Sequence, residues 1–120
     1  MKAVFDTNIL IDYLLGYPAA RKEIQQYNDP QISIITKMEI LVGAAENNED
    51  LIRGFLNRFS IISINDEIAE AAVIIRKEYK IKLPDAIVWA TAKCNTSLLI
   101  TRNIKDFPPQ AADIKIPYNI

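Results

Sequence analysis

Apolar residues in this chain switch repeatedly between a two-residue and a roughly 3.6-residue period, so strands and helices alternate. Lys2 to Phe5 predicts a first strand, and the apolar spacing from Thr7 to Leu15 a following helix. Pro18 to Tyr27 reads as a second helix. Asn28-Asp29-Pro30 is a turn before a strand at Ile32 to Ile35. Thr36 is the predicted N-cap of the next helix, which runs to about Ala45, and Glu39 completes a Thr-x-x-Glu capping box. From Glu49 to Phe59, the residues Leu51, Ile52, Phe55, Leu56 and Phe59 share one helical face. Ile61 to Ile64 predicts a third strand. Asn65 caps a long helix to Tyr79 whose inner side carries Ile68, Ala72 and Ile75. Pro84 suits the first position of a helix, because its missing N–H has no intrahelical partner there. That helix is nearly apolar from Ala86 to Ala92 and should be buried. Ser97 to Ile100 predicts a fourth strand, and Ile114 to Ile116 a short fifth at the sheet edge.

Alternating strands and helices imply an α/β fold, a three-layer α/β/α sandwich around a mainly parallel sheet of four to five strands. At 120 residues the chain is expected to form one domain over positions 1–120. In such sheets ligands bind beyond the carboxyl ends of the strands, near a topological switch point. Asp6 follows the first strand and Thr101 to Asp106 follow the fourth, so both belong on that edge.

Composition narrows the chemistry. With no histidine in the sequence, imidazole general bases, Ser-His and Cys-His triads, and His-ligated zinc are all excluded. Cys94 is the single cysteine, which rules out an intrachain disulfide, fits a reducing compartment and reads as a small buried filler. Half of the residues are hydrophobic, enough for one core, yet no apolar segment approaches the ~18 residues of a membrane span. No secretion signal is visible, and a cytoplasmic protein with no membrane partner is expected. A net charge of −1 argues against indiscriminate charge-driven nucleic-acid binding, so any RNA affinity must come from a local patch.

Three acids then stand out: Asp6 in Val4-Phe5-Asp6-Thr7-Asn8, Glu39 in Thr36-Lys37-Met38-Glu39-Ile40, and Asp85 in Leu83-Pro84-Asp85-Ala86-Ile87. Each has an ordinary explanation: Asp6 as a helix cap, Glu39 as half of a capping box, Asp85 as a complement to a helix dipole. All three, however, fall at element boundaries on one predicted edge of the sheet. Two carboxylates about 4 Å apart repel by roughly 1–4 kcal/mol, and a divalent cation reverses that sign. An oxygen-only pocket of this kind suits Mg²⁺ or Mn²⁺ and metal-assisted phosphodiester hydrolysis. A fourth position is open to Asn103 or Asp106, and Thr101 can orient a carboxylate through its hydroxyl.

Together, Val4-Phe5-Asp6-Thr7-Asn8-Ile9-Leu10, Glu39 in its setting, Leu83-Pro84-Asp85-Ala86-Ile87-Val88-Trp89-Ala90 and Thr101-Arg102-Asn103-Ile104-Lys105-Asp106-Phe107 resemble the PIN domain, in particular the VapC-type ribonuclease toxins of toxin–antitoxin pairs. The resemblance spans essentially the whole chain in the right order. It implies a parallel-sheet sandwich, Mg²⁺- or Mn²⁺-dependent RNA cleavage, homodimerisation and inhibition by a small cognate antitoxin. It also implies Asp6 and Asp85 as metal ligands, Glu39 as the third acid, and Thr7, Asn8 or Thr101 as their supports. Asn103 departs from the Asp that many relatives place nearby, which bears on a second metal more than on the first.

Positive charge for RNA is expected from Lys80 and Lys82, with Arg76 and Lys77 beside them, and from Arg102 and Lys105. A solvated helix end is the ordinary reading of that run. Tyr13, Tyr17 and Tyr27 with Leu14 and Leu15 are core and rim packing, or a groove for a partner helix. Two other functions fit less of the sequence. A phosphatase with an aspartyl-phosphate intermediate lacks a second Asp, because Asn8 stands there. A dimeric PIN-like binding module without catalysis is the non-enzymatic reading.

Overall fold

The structure, a computed structural model, describes residues 2–120. Five strands form one sheet in the order β3-β2-β1-β4-β5, and every neighbouring pair is parallel. The strands are β1 (Lys2–Phe5), β2 (Asp29–Ser33), β3 (Ser60–Ile62), β4 (Leu98–Ile100) and β5 (Ile114–Lys115). Six helices connect them: α1 (Thr7–Leu14), α2 (Pro18–Gln25), α3 (Ile34–Gly43), α4 (Glu49–Leu56), α5 (Asp66–Tyr79) and α6 (Leu83–Cys94). The predicted fifth strand exists and lies at the edge.

Strand alternation divides the core into two layers. Ala3, Phe5 and Ile100 point into a cluster with Ile9, Leu10 and Ile24, where Phe55, Leu56 and Phe59 also pack. Val4 and Leu99 point the opposite way, against Ile68, Ala72, Ile75, Trp89 and Phe107. Because β1 is buried on both faces, it reads as a continuous apolar run. The apolar α6 lies in the second layer, with Trp89 fully buried and its Nε1 donating to Asp113 Oδ2 at 3.0 Å. α3 straddles the layers: Ile40 joins the first cluster, and Ile35 packs on the second.

Several boundaries differ from the sequence reading. β2 begins at Asp29, inside the predicted turn, and ends at Ser33. Pro30 is tolerated because only β1 flanks it; pairing with β3 starts at Gln31. The N-cap of α3 is Ser33, whose Oγ accepts from Ile35 N at 3.1 Å, and not Thr36. The β-branched pair Ile34-Ile35, read as the end of a strand, is therefore the first turn of a helix. β3 ends at Ile62 instead of Ile64, while α2 and α4 stop at Gln25 and Leu56, short of Tyr27 and Phe59. Leu83 precedes Pro84 as the first residue of α6. Asn65 caps α5 as expected, with Ile68 N donating to Oδ1 at 2.8 Å. Cys94 is half-buried, not buried. No helix among the described residues is long and apolar enough to cross a membrane.

Candidate active site

β1 and β4 lie side by side, yet they are joined in sequence through everything between them. From β1 the chain winds one way to β2 and β3, then returns to the other side for β4 and β5. The carboxyl ends of β1 and β4 therefore form the topological switch point, the place where ligands bind in sheets of this kind. Asp6 and Thr101 are the residues immediately after those two strands. The backbone closes them together through Asp6 N to Ile100 O at 2.9 Å.

Asp6 is buried at 6% exposure and caps α1. Its Oδ1 accepts from Thr7 N at 2.8 Å, and its Oδ2 from Thr101 Oγ1 at 2.8 Å and Asn8 Nδ2 at 3.2 Å. The cap therefore leaves this side chain free to bond Thr101 and Asn8 as well. Burial pushes its carboxyl pKa up from 3.8 to about 6, against the pull of the Thr101 and Thr7 hydrogen bonds, and the charges of Asp85 and Glu39 add to the rise. All three acids singled out in the sequence therefore share one electrostatic neighbourhood.

Glu39 lies on the exposed side of α3 and takes no part in a capping box. Freed from that role by Ser33, its Oε1 accepts from Thr7 Oγ1 at 2.6 Å, tying α3 to α1. Buried Thr36 sits one turn earlier, with its hydroxyl 3.4 Å from that of Thr7. Asp85 occupies the first turn of α6, half-buried, where the helix dipole favours negative charge. Its pKa is nonetheless raised, by burial first and then by the charges of Asp106 and Glu39, with Lys82 opposing. Asp106 thereby joins the cluster from the segment after β4.

Asn103 shapes that segment. Its Oδ1 accepts from Lys105 N at 3.2 Å and Asp106 N at 3.1 Å, while its Nδ2 donates to Asp106 Oδ2 at 2.9 Å. Its own N–H donates to Thr101 Oγ1 at 3.0 Å. The amide is consumed in folding the turn and orienting Asp106, and the charge belongs to Asp106.

Among the described residues no Lys or Arg forms an ion pair with Asp6, Glu39, Asp85 or Asp106. Nor do any three acidic side chains among them close into a ready-made metal cage. The donor set, all oxygen and anionic, fits a hard divalent ion such as Mg²⁺ or Mn²⁺ by type.

The PIN domain family model matches residues 3–108. The chain belongs to the PIN domain family. A toxin–antitoxin complex from Klebsiella pneumoniae contains a chain 46% identical to this one, with a TM-score of 0.93 over 98% of this chain and 99% of that one. VapBC-1 from nontypeable Haemophilus influenzae is 26% identical, with a TM-score of 0.72 over 89% of this chain and 90% of that one. DNA-bound VapBC from Salmonella typhimurium is 24% identical and shares the fold, with a TM-score of 0.81 over 96% of both chains. No curated protein matches the sequence. The resemblance to VapC-type PIN domains is borne out.

The six basic residues of this PIN domain expected to meet RNA divide into three groups. Arg76 and Lys77 lie in the last turn of α5, where they complement the helix dipole. Lys80, Lys82 and Lys105 are exposed, and Lys82 acts electrostatically on Asp85. Lys80 ends α5 in the left-handed region at φ 57°, which turns the chain towards Asp85. Arg102 is not a free cation, because its Nε and Nη2 grip the two oxygens of buried Asp12, the latter at 2.9 Å. Tyr118 donates to the same Asp12 carboxylate at 2.8 Å. Neither Asp12 nor Tyr118 was singled out from the sequence as a site residue. The available signal was a lone acid, four residues after Asn8, within an apolar helix.

Proposed function

We propose that this PIN domain is a Mg²⁺- or Mn²⁺-dependent endoribonuclease, the toxin of a toxin–antitoxin pair. The observation that carries the reading is the electrostatics of Asp6: a buried carboxylate at the switch point, its pKa raised further by the charges of Asp85 and Glu39, and lacking any cationic partner among the described residues.

In this reading Asp6 and Asp85 would hold the ion, Glu39 would complete the triad, and Asp106, oriented by Asn103, would take the fourth position. Thr7, Asn8 and Thr101 fix Asp6, and Thr7 also fixes Glu39, through the hydrogen bonds described above. A bound divalent cation supplies Lewis-acid activation of the phosphodiester and lowers the pKa of water. Glu39, exposed and with Oε1 accepting from Thr7 Oγ1, would be the group to accept the proton of an attacking water. Lys80, Lys82 and Lys105 receive the RNA backbone, and Arg102 is withdrawn from that role by its pair with Asp12.

The solved relatives named above are toxin–antitoxin complexes, and this chain has a surface suited to such a partner. Ile11, Leu14, Leu15, Ile40, Gly43 and Ile52 line a depression of about 270 Å³ that reaches Glu39. The apolar face of a small antitoxin's helix fits there, next to the acids it would silence. A homodimer, itself bound to antitoxin, is the proposed assembly.

RNA-cleavage assays of Asp6→Asn and Asp85→Asn test this reading. Both should lose more than ~100-fold in rate, since even outer partners of a metal site typically account for 10–100-fold. Cleavage that survives in either variant, or in protein stripped with EDTA, contradicts it. Phosphate trapped on Asp6 would point to the phosphatase chemistry instead, and metal binding with no cleavage of any RNA to a binding module.

A further inference from the structure

Asp12 lies one helical turn beyond Asn8, on the same face of α1, and is nine-tenths buried at 2% exposure. Three donors occupy its carboxylate: Arg102 Nε, Arg102 Nη2 and the Tyr118 hydroxyl. Arg102 also donates its backbone N–H to Asn8 Oδ1 at 3.2 Å. Asn8 Nδ2 in turn bonds both Asp6 Oδ2 and Thr101 Oγ1, each at 3.2 Å. The result is an unbroken chain of hydrogen bonds from the C-terminal segment to the Asp6 carboxylate, with the segment after β4 clamped to α1 at two points four residues apart.

We propose that Asp12 and Tyr118 are positioning residues for the site: they fix Arg102, and through it Asn8 and Thr101, so that Asp6 presents its carboxylate to the cation. This rests on the nuclease reading above for what the cation does, although the strut itself is made of protein groups alone. Asp12 suits the task because a bidentate carboxylate–guanidinium pair fixes orientation as well as distance. Tyr118 adds a third donor and closes Asp12 from the C-terminal side. Residues after β5 thereby reach the active edge without touching it.

Two variants test the strut: Asp12→Asn, and Tyr118→Phe, which removes a single hydroxyl and keeps the ring. Two readouts are needed, namely Mn²⁺ affinity by calorimetry and amide hydrogen exchange at Arg102 in metal-free protein. The strut predicts faster exchange at Arg102 in both variants, with the buried strands unchanged. It also predicts Mn²⁺ binding weaker by about 10-fold in Asp12→Asn and about 3-fold in Tyr118→Phe, at the low end for outer partners of a metal site. Wild-type exchange at Arg102 in both variants would overturn the strut, as would wild-type Mn²⁺ affinity accompanied only by a lower melting temperature. Failure of the wild type to bind Mn²⁺ would contradict the nuclease reading, and exchange at Arg102 would still decide the strut.

Discussion

Two sets of carboxylates sit at opposite extremes of compensation within one small fold. Asp12 and Glu23, both buried, each have a cation and a tyrosine: Arg102 with Tyr118 for the first, Lys115 with Tyr27 for the second. Lys115 Nζ lies 2.7 Å from Glu23 Oε2 and 3.2 Å from the Tyr27 hydroxyl, so edge strand β5 is tied to α2. Asp6 is buried to a similar degree but receives only neutral donors, and the charges nearest it are acidic. The fold neutralises the acids it uses for its own construction and leaves those at the switch point uncompensated. Burying a charge without a counter-charge is costly, and Asp6 bears that cost, which is the ground for proposing that a cation completes the set.

Neutralising an acid should therefore have opposite effects on stability in the two sets. Glu23→Ala removes the partner of Lys115 and should cost about 2 kcal/mol in urea denaturation. That is less than the ~3–5 kcal/mol of a fully buried pair, because Lys115 still reaches water. A loss too small to resolve would place Glu23 with the uncompensated acids.

Asp6→Asn should stabilise the metal-free protein at pH 8 by about 1–2 kcal/mol. The sign follows from proton linkage. Folding lifts the Asp6 pKa from 3.8 to about 6, so between these values the folded state binds more protons than the unfolded one. Its contribution to stability falls as pH rises through that window and stays low above it. The full rise corresponds to roughly 3 kcal/mol, which the weaker hydrogen bonding of an amide to Thr7, Thr101 and Asn8 reduces. Below about pH 3 the gain should give way to a loss of about 1–2 kcal/mol, the amide's weaker hydrogen bonding alone, and a pH-independent difference would contradict it.

Lys82→Glu should have the smallest effect. It removes a cation that opposes the rise at Asp85 and adds a like charge. RNA binding should weaken several-fold, and its salt dependence should become shallower by about one counterion. An unchanged salt slope would return Lys82 to the role of an ordinary solvated helix end.

How much of this could be read from the sequence depended on the range of the interaction. β1 and α6 were legible because burial on both faces leaves uninterrupted apolar runs, and the α5 cap because Asn65 acts on a residue three positions away. Glu39 was legible as a candidate but carried a false alternative, since Thr36-x-x-Glu39 matches a capping box that Ser33 pre-empts. Asn103 and Asp106 were indistinguishable by spacing; only the turn's hydrogen bonds separate an organiser from a charge. The Asp12–Arg102 pair spans 90 positions, and the Tyr118 contact to Asp12 spans 106. No local pattern encodes either, and so Arg102 read as a free basic residue.

The central claim, that Asp6, Glu39, Asp85 and Asp106 are completed by one shared divalent cation, is tested most directly by thermal unfolding with and without Mn²⁺. Wild-type protein should gain about 5–10 °C at saturating Mn²⁺ near pH 7.5, because only the folded state assembles the ligands. Asp6→Asn and Asp85→Asn should each lose most of that gain while remaining folded. An equal gain in all three proteins, or none in the wild type, would contradict the account.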